Sequence, residues 1–399
     1  RGLVLNLKDN RDLKKPSLYA ICIGVNEYND EKMSLKFPVN DALSIADIVY
    51  GGASAMLDSS NVSIYKIHSN YDKQKNNGYG SPTRNTIREA FREIGNLAEP
   101  QDIVFIFLAG HGTMGDKTNK KFTFLTSEAT FENPKGFSTD TLFSWIGTEG
   151  PFQLKANKAI LIIDACNSGQ LYDDLAVRST DNEERQKQLD QLSDRSGMFI
   201  LSASAPNRYA YEHPKLEHGL LSYSLLRVLK NNTEIFEKDN FVNMTKWFYE
   251  SSRDLEDLCN ELGLDQEATP SGTSDFQLLQ INKQQKDKIK LAEEKQQLFI
   301  HVPENEINEV DDIKFQKRIL TQIESTSTFK KCFYLNDKLS EDALSVKIKY
   351  SAKGEKIRCR VLFFENSTKT GEFIVKGSTN NWSEIDEHII NKIIEEKCP

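Results

Sequence analysis

Apolar and polar positions along the first 280 residues form two alternating patterns. Stretches of strand length, most of them rich in apolar residues, occur at residues 18–25, 62–67, 102–108, 158–164, 198–203 and 275–279. Between them lie stretches of helical character, at residues 40–56, 83–94, 140–146, 220–229 and 241–262, with Asn40 and Thr83 as predicted caps of the first two. Apolar strands that alternate with helices predict an α/β fold, with a mostly parallel six-stranded sheet flanked by helices.

Beyond residue 300 the pattern changes to that of a small α+β module. It predicts a helix over 306–326, three antiparallel strands over 344–350, 356–364 and 372–376, and a closing helix over 382–396. The chain then divides into a lead-in over 1–16, a first domain over 17–281, a helical connector over 282–300 and a C-terminal α+β accessory domain over 301–399. Because the first residue is Arg1, we expect the lead-in to continue from a larger protein.

The charge of the chain narrows the classes of partner. The 399 residues carry a net charge of −8, with no Lys/Arg-rich patch of the kind that binds nucleic acid. No apolar run approaches the roughly 18 residues that cross a bilayer, so we expect no membrane span. Residues 281–399 hold 21 basic and 20 acidic side chains, so the excess negative charge lies on the first domain and favours a cationic ligand there.

The cysteines are scattered and form no C-x-x-C pair: they are Cys22, Cys166, Cys259, Cys332, Cys359 and Cys398. This spacing predicts neither a disulfide framework nor a zinc site. His213 and His218 are five apart, which is not the spacing of a helical metal pair, and no metal site is predicted. Without a recognisable signal peptide, the pattern favours a reducing, cytoplasmic location.

Two of the apolar strands end in residues that carry chemistry. The run IVFIFLAGHG places His111 just past the third strand, and AILIIDACNSG places Cys166 just past the fourth. Ligand sites in open parallel sheets form beyond the carboxyl ends of the strands. An imidazole beside a thiol takes its proton during attack and returns it to the leaving amine. The pair therefore predicts a nucleophile and its base, with the N–H groups of Gly112 and Cys166 as an oxyanion hole.

Each member of this pair also has a plainer interpretation. A cysteine that ends a buried strand is typically a small packed side chain. A histidine after a strand is typically a loop residue or a core histidine with satisfied hydrogen bonds, and Gly-x-Gly is common in turns. The combination of Cys166 and His111 at two strand ends favours the catalytic interpretation.

The strand-AGHG and strand-DACNSG motifs resemble the catalytic core of caspase-fold cysteine peptidases, in their metacaspase and bacterial caspase-like branch. YAICIGVNEY, LKFPVNDALSIADIV and FILSASAPNRYAYE extend the resemblance over about residues 17–280. Animal caspases carry Q-A-C-x-G where this chain has D-A-C-N-S-G. The resemblance implies that residues 17–281 are a protease domain and that His111 and Cys166 form the dyad of an endopeptidase.

Similarity to metacaspases and paracaspases implies three acidic residues around the substrate's P1 side chain. By motif position these are Asp41, Asp164 and Glu212, and three carboxylates would favour Arg or Lys. Plainer alternatives are first-turn helix chemistry for Asp41 and a turn cap for Asp164. Glu212 departs from the Asp that metacaspases usually place there.

Two regulatory features follow from the same resemblance. Many metacaspases bind calcium, and Asp173 and Asp174 lie in the corresponding region without a full ligand set, so calcium is an optional activator and no cofactor is assigned. The charged stretch 173–196 occupies the place of the caspase linker. Its Arg178, Arg185 and Arg195 are candidate self-cleavage sites, and a solvated surface helix and loop is the alternative.

The sequence thus predicts an endopeptidase that cleaves proteins or peptides after Arg or Lys, regulated by self-cleavage or by a protein partner. The resemblance implies a bacterial cell-death or defence pathway. The alternative is a latent or non-catalytic caspase-like scaffold whose C-terminal module binds a partner. Retention of both Cys166 and His111 favours the enzyme.

Overall fold

The computed structural model describes residues 15–114, 121–146, 152, 155–167, 187, 189–191, 193, 198–203, 210–272, 277–292, 295–335 and 343–398. The chain divides into two compact units. The first comprises residues 1–212 and 217–291, and the second comprises residues 213–216 and 292–399.

The elements between residues 15 and 292 alternate as the sequence predicts. The strands are β1 (Leu18–Gly24), β2 (Val62–His68), β3 (Ile103–Met114), β4 (Phe122–Leu125), β5 (Gly136–Ser138), β6 (Lys158–Asn167), β7 (Phe199–Ser202), β8 (Glu212–His213), β9 (His218–Gly219), β10 (Phe241–Asn243), β11 (Thr269–Ser271) and β12 (Gln277–Gln280). The helices are α1 (Pro38–Leu57), α2 (Arg84–Leu97), α3 (Thr139–Ile146), α4 (Leu220–Asn231), α5 (Met244–Leu262) and α6 (Lys283–Lys288).

The main sheet of the first unit has the order β11-β7-β6-β3-β1-β2. These six strands run parallel, except that β11 is antiparallel to β7. β4 pairs antiparallel with β3 and β5 with β4, so the sheet has eight strands rather than the predicted six. The apolar stretch of β3 from Ile103 to Leu108 is at most 2 % exposed, which is the burial of a strand covered on both faces. These observations confirm the predicted α/β class. The predicted strand at 275–279 is wrong in its partner, because β12 pairs with β10 and β11 supplies the sixth strand of the main sheet.

Helix starts show where local signals succeed and fail. Thr83 caps α2 as predicted, since its hydroxyl accepts a hydrogen bond from the Thr86 N–H. The prediction for Asn40 is wrong, because α1 begins with Pro38 at its first position and needs no side-chain cap. Asn40 lies inside the helix, where its side-chain amide donates to the Glu217 carbonyl at 2.7 Å.

The second unit has its own sheet and core. Its strands are β13 (Gln296–Ile300), β14 (Glu304–Asn305), β15 (Val310–Asp311), β16 (Phe333–Leu335), β17 (Leu344–Lys353), β18 (Lys356–Glu365) and β19 (Thr368–Ser378), and its helices are α7 (Ile313–Ser325), α8 (Ser327–Cys332) and α9 (Trp382–Lys397). The strand order is β15-β14-β17-β13-β16, and β18 and β19 continue antiparallel from β17. The connector predicted to be helical up to residue 300 is wrong at its end, since β13 belongs to this sheet.

One feature of the second unit contradicts the prediction that the cysteine spacing supports no disulfide framework. Cys332, which ends α8, forms a disulfide with Cys398, which caps the C-terminus of α9, and the Cα atoms are 5.4 Å apart. The two residues are 66 positions apart in the sequence, and only the packing of the two helix ends brings them together. Cys22, Cys259 and Cys359 are buried.

Candidate active site

The predicted dyad lies on two neighbouring strands of the first unit. β3 and β6 are parallel and in register, so that His111 pairs with Cys166, Gly112 with Asn167 and Ala109 with Asp164. Adjacent strands are about 4.8 Å apart, which places the backbone of Cys166 beside that of His111. The Cys166 side chain lies outside the described residues, as do Arg178, Arg185, Arg195, Asp173 and Asp174.

The strands extend further than the apolar pattern predicts. We expected His111 and Cys166 just past the strand ends, whereas both lie inside β3 and β6. The neighbouring strand β1 stops at Gly24, opposite Ala109, while β3 continues and gains β4 as an antiparallel partner opposite Gly112. Beyond this point the loop after β1 takes the place of a strand next to His111.

That loop fixes the histidine. The His111 N–H donates to the Tyr28 hydroxyl at 2.8 Å, and the two rings are 5.0 Å apart. The Nε2 atom of His111 lies 2.8 Å from the Met33 carbonyl oxygen. A carbonyl oxygen only accepts, so Nε2 carries the hydrogen and Nδ1 of the neutral ring has the lone pair. Nδ1 has no hydrogen-bond partner among the residues that the structure describes.

Burial lowers the pKa of the His111 side chain. The side chain of His111 is 3 % exposed, and loss of solvation lowers its pKa to about 4, against which the Met33 carbonyl acts weakly. At neutral pH the ring is therefore uncharged and able to accept a proton. Gly110, with φ of +151°, allows the Tyr28 hydroxyl to come close to the backbone of β3. A Cβ at this position would lie 2.9 Å from that hydroxyl.

The three predicted acidic residues lie in the first unit, where Asp41 and Asp164 are buried and Glu212 is partly buried. Asp41, in the first turn of α1, accepts hydrogen bonds from Nδ1 of His218 at 2.7 Å and from the Gly219 N–H at 3.1 and 3.2 Å. Asp164, on β6, accepts from the Ser222 N–H at 3.0 Å and from its hydroxyl at 2.5 Å. Both carboxylates border one glycine.

The position of Gly219 shows how closely the two carboxylates approach each other. A Cβ built on Gly219 would lie 2.6 Å from Oδ2 of Asp164 and 3.1 Å from Oδ2 of Asp41. The third carboxylate, Glu212, accepts hydrogen bonds at 3.1 Å from the N–H groups of Lys36 and Phe37, which immediately precede α1. Its charge interacts with that of Asp41.

The pKa values of Asp41, Asp164 and Glu212 are all raised above their usual range. Burial, followed by repulsion from Asp41, raises the pKa of Asp164 to about 7. Burial also raises the pKa of Asp41 and of Glu212, against the hydrogen bonds that each receives. Within the described part of the chain, no Lys or Arg side chain forms an ion pair with any of the three. The same unit does contain a partly buried carboxylate with such a partner, since Asp254 pairs with Arg227 at 2.9 Å.

Some residues of the site were not assigned from the sequence. His218 was considered only as half of a metal pair, although it contacts Asp41. Tyr28 lies in the YAICIGVNEY motif, where no role was given to it. Met33 contributes a backbone carbonyl, which any residue possesses, so no sequence signal could have identified it. Among the described residues, no group of three or more His, Cys, Asp or Glu side chains is arranged to hold a metal ion.

The largely parallel sheet flanked by helices, with His111 and Cys166 side by side on neighbouring strands, is a caspase-like fold. A family model described as the caspase domain matches residues 17–277, and the chain belongs to this family. Its function is therefore of the cysteine-protease type, with peptide or protein substrates. No helix in the described ranges has the length and apolar character needed to cross a membrane.

Solved structures with a similar fold include GSU0716 from Geobacter sulfurreducens, which is 18 % identical, with a TM-score of 0.43 over 65 % of this chain and 95 % of its own. The Drosophila initiator caspase Dronc is 10 % identical, with a TM-score of 0.39 over 64 % of this chain and 79 % of its own. No curated protein matches the chain.

Proposed function

We propose that the chain is a cysteine endopeptidase that cleaves after Arg or Lys through a dyad of Cys166 and His111. The observation that carries the P1 preference is the cluster of Asp41, Asp164 and Glu212, of which the first two are buried and the third partly buried, and none forms an ion pair with a Lys or Arg side chain among the described residues. Buried carboxylates normally have a cationic partner, because burial of unpaired charge is costly. A substrate guanidinium or ammonium group would supply the missing charge.

The same cluster argues against an acidic P1 residue. A P1 Asp would add a fourth carboxylate to a site where repulsion already raises the pKa of Asp164. An Arg side chain instead offers several N–H donors in a planar group that can bind two carboxylates at once. We therefore expect Arg to be preferred over Lys, and both over uncharged residues.

The chemistry follows from the tautomer of His111. Its Nδ1 takes the proton of the Cys166 thiol as sulfur attacks the scissile carbonyl carbon, and the carbonyl oxygen becomes an oxyanion. N–H groups of Gly112 and Cys166 are the proposed donors to that oxyanion, each worth roughly 2.7–4 kcal/mol. His111 then protonates the leaving amine, and a thioester remains. Water, deprotonated by His111, hydrolyses the thioester and regenerates the thiol.

We also propose control by self-cleavage at Arg178, Arg185 or Arg195, or by a protein partner, with calcium as an optional activator, in a bacterial cell-death or defence pathway. The support for these points is the resemblance of the sequence to regulated members of the family. The second unit is the proposed accessory module. If the protein is instead a scaffold, this module would carry the partner-binding function.

The direct test uses the full chain with fluorogenic peptides that end in Arg, Lys or Asp, with and without Ca²⁺. We expect cleavage after Arg and Lys, loss of that cleavage in Cys166→Ala, and retention in Cys259→Ala, which alters a buried thiol on α5. Mass spectrometry of the wild type and of Cys166→Ala reports self-cleavage. Cleavage after Asp would overturn the P1 assignment and leave the dyad standing. Absence of all cleavage would favour the scaffold.

A further inference from the structure

His218 lies in β9, between the acidic cluster and the start of α4, and its side chain is 3 % exposed. Both ring nitrogens are engaged. Nδ1 lies 2.7 Å from Oδ1 of Asp41, and Nε2 lies 3.3 Å from the side-chain nitrogen of Asn40. The ring is therefore fixed at both ends by residues of α1.

The contact with Asn40 determines which nitrogen carries the hydrogen. The amide nitrogen of Asn40 also donates to the Glu217 carbonyl at 2.7 Å, and a carbonyl cannot donate in return. This contact fixes the orientation of the amide, so Asn40 presents a donor to Nε2 of His218. Nε2 then accepts, Nδ1 carries the hydrogen, and the imidazole donates to Asp41 as a neutral group.

A neutral donor has a particular effect on a binding carboxylate. A Lys or Arg in the place of His218 would hold Asp41 but also cancel its charge, whereas a neutral imidazole holds it and leaves the negative charge for a ligand. A hydrogen bond to the ionised form favours ionisation, which opposes the effect of burial on the pKa of Asp41. The Gly219 N–H acts in the same sense.

We propose that His218 is a positioning residue for P1 recognition, which holds the Asp41 carboxylate in the orientation that binds a basic substrate side chain. This inference rests on the proposed function, because it assigns Asp41 to the P1 pocket. It extends that function by adding a residue that acts through Asp41 and has no part in bond cleavage. Its loss should therefore weaken binding of a basic P1 group and leave the reactivity of Cys166 unchanged.

The test compares His218→Leu with His218→Asn, because an Asn side chain can place an N–H donor near the position of Nδ1 and Leu cannot. With a P1-Arg peptide, we expect His218→Leu to raise KM by about 10-fold or more, the effect of losing one hydrogen bond to a charged group, with kcat nearly unchanged. His218→Asn should restore KM to within about 3-fold of the wild type. Alkylation of Cys166 by iodoacetamide should proceed at the wild-type rate in both variants.

Each contrary outcome has a distinct meaning. An unchanged KM in His218→Leu overturns the role of His218, as does equal loss of kcat and of alkylation in both variants, which would indicate structural damage. Circular dichroism of the variants reports folding independently of activity. A wild type that does not cleave after Arg or Lys would overturn the proposed function and, with it, the role of His218. A wild type that does so beside an unaffected His218→Leu overturns only the role of His218.

Discussion

The buried acidic side chains of the two units have different kinds of hydrogen-bond partner. In the second unit, Asp386 on α9 is 3 % exposed and lies 3.0 Å from Nε of Arg318, whose guanidinium also stacks over Trp382 and Phe315. In the first unit, the described donors to Asp41 and Asp164 are an imidazole, a hydroxyl and backbone N–H groups. The first arrangement gives its carboxylate a cationic partner, whereas the second includes no Lys or Arg partner among the residues that the structure describes.

We expect the ion pair of Asp386 to contribute to stability, and Asp41 and Asp164 to contribute to ligand binding. A paired buried charge is costly to break, because the remaining partner loses its counter-charge. Unbalanced carboxylates instead reduce the stability of the ligand-free protein, and natural proteins retain such groups chiefly at functional sites. The comparison therefore predicts opposite consequences for substitutions in the two units.

The largest expected effect is on the stability of the second unit, when the disulfide between Cys332 and Cys398 is removed. A bond that closes a loop with a sequence separation of 66 restricts the unfolded chain, and loop entropy gives about 4 kcal/mol for it. Calorimetry of the full chain with and without dithiothreitol should show a lower unfolding temperature for this unit.

The control for this experiment is the double variant Cys332→Ser, Cys398→Ser, in which reductant should cause no further shift. Cleavage of a P1-Arg peptide should be unchanged in it. If the reduced wild type lost cleavage while the unreduced wild type kept it, the disulfide would have a role in catalysis. The assignment of stability to the second unit and of activity to the first would then be wrong.

The next largest effects are expected from the matched substitutions Asp164→Asn and Asp386→Asn, of which the first should lower activity and the second should lower stability. We expect Asp164→Asn to lower kcat/KM for a P1-Arg peptide by about 100-fold, since a buried charge-assisted contact is lost, without loss of stability at pH 7. Asp386→Asn should leave kcat/KM unchanged and destabilise the second unit by about 1–2 kcal/mol, a modest value because Arg318 is 36 % exposed.

Steady-state kinetics and urea denaturation of both variants measure this pair. If Asp386→Asn lowered cleavage as strongly as Asp164→Asn, the assignment of binding to the first unit would be wrong. If Asp164→Asn lost stability at pH 7 and retained cleavage, Asp164 would be a structural residue of the kind that the sequence also allowed.

The sequence predicted the fold well because its signals are local. Apolar runs located β1, β2, β3, β6 and β7, and Thr83 marked the start of α2. The strand ends were wrong because pairing, rather than hydrophobicity, sets them: β3 continues through His111 where β4 and β6 provide partners. The error at Asn40 has a similar origin, since Pro38 already fixes the start of α1.

The candidate site was predictable only as far as motifs reach. His111, Cys166 and the three acidic residues lie in motifs that resemble a known family, and the register of β3 and β6 places two of them side by side. The Met33 carbonyl, the contact between His218 and Asp41, and the pairing of Cys332 with Cys398 depend on long-range packing. No local pattern encodes contacts of that kind.

The smallest expected effect is the pH dependence that Asp164 gives to the first unit. Its pKa rises from 3.8 to about 7 on folding, so the folded state holds this proton more tightly than the unfolded chain does. The associated stability is present below about pH 4 and is lost as the pH rises to 7. His111, with its pKa lowered to about 4, contributes the opposite trend between pH 4 and 6.5.

The contribution of Asp164 is therefore measured as the difference in stability between Asp164→Asn and the wild type. Asp164→Asn should match the wild type near pH 4, become progressively more stable than it as the pH rises from 4 to 7, and keep a constant advantage above pH 7, on the order of 1 kcal/mol or about 2–4 °C in Tm. Thermal melts at pH 5, 6, 7 and 8 test this, with Asp386→Asn as the matched substitution in the second unit. A difference that stays constant from pH 5 to 8 would mean that Asp164 is ionised throughout, and the excess charge of the cluster would then be balanced inside the chain.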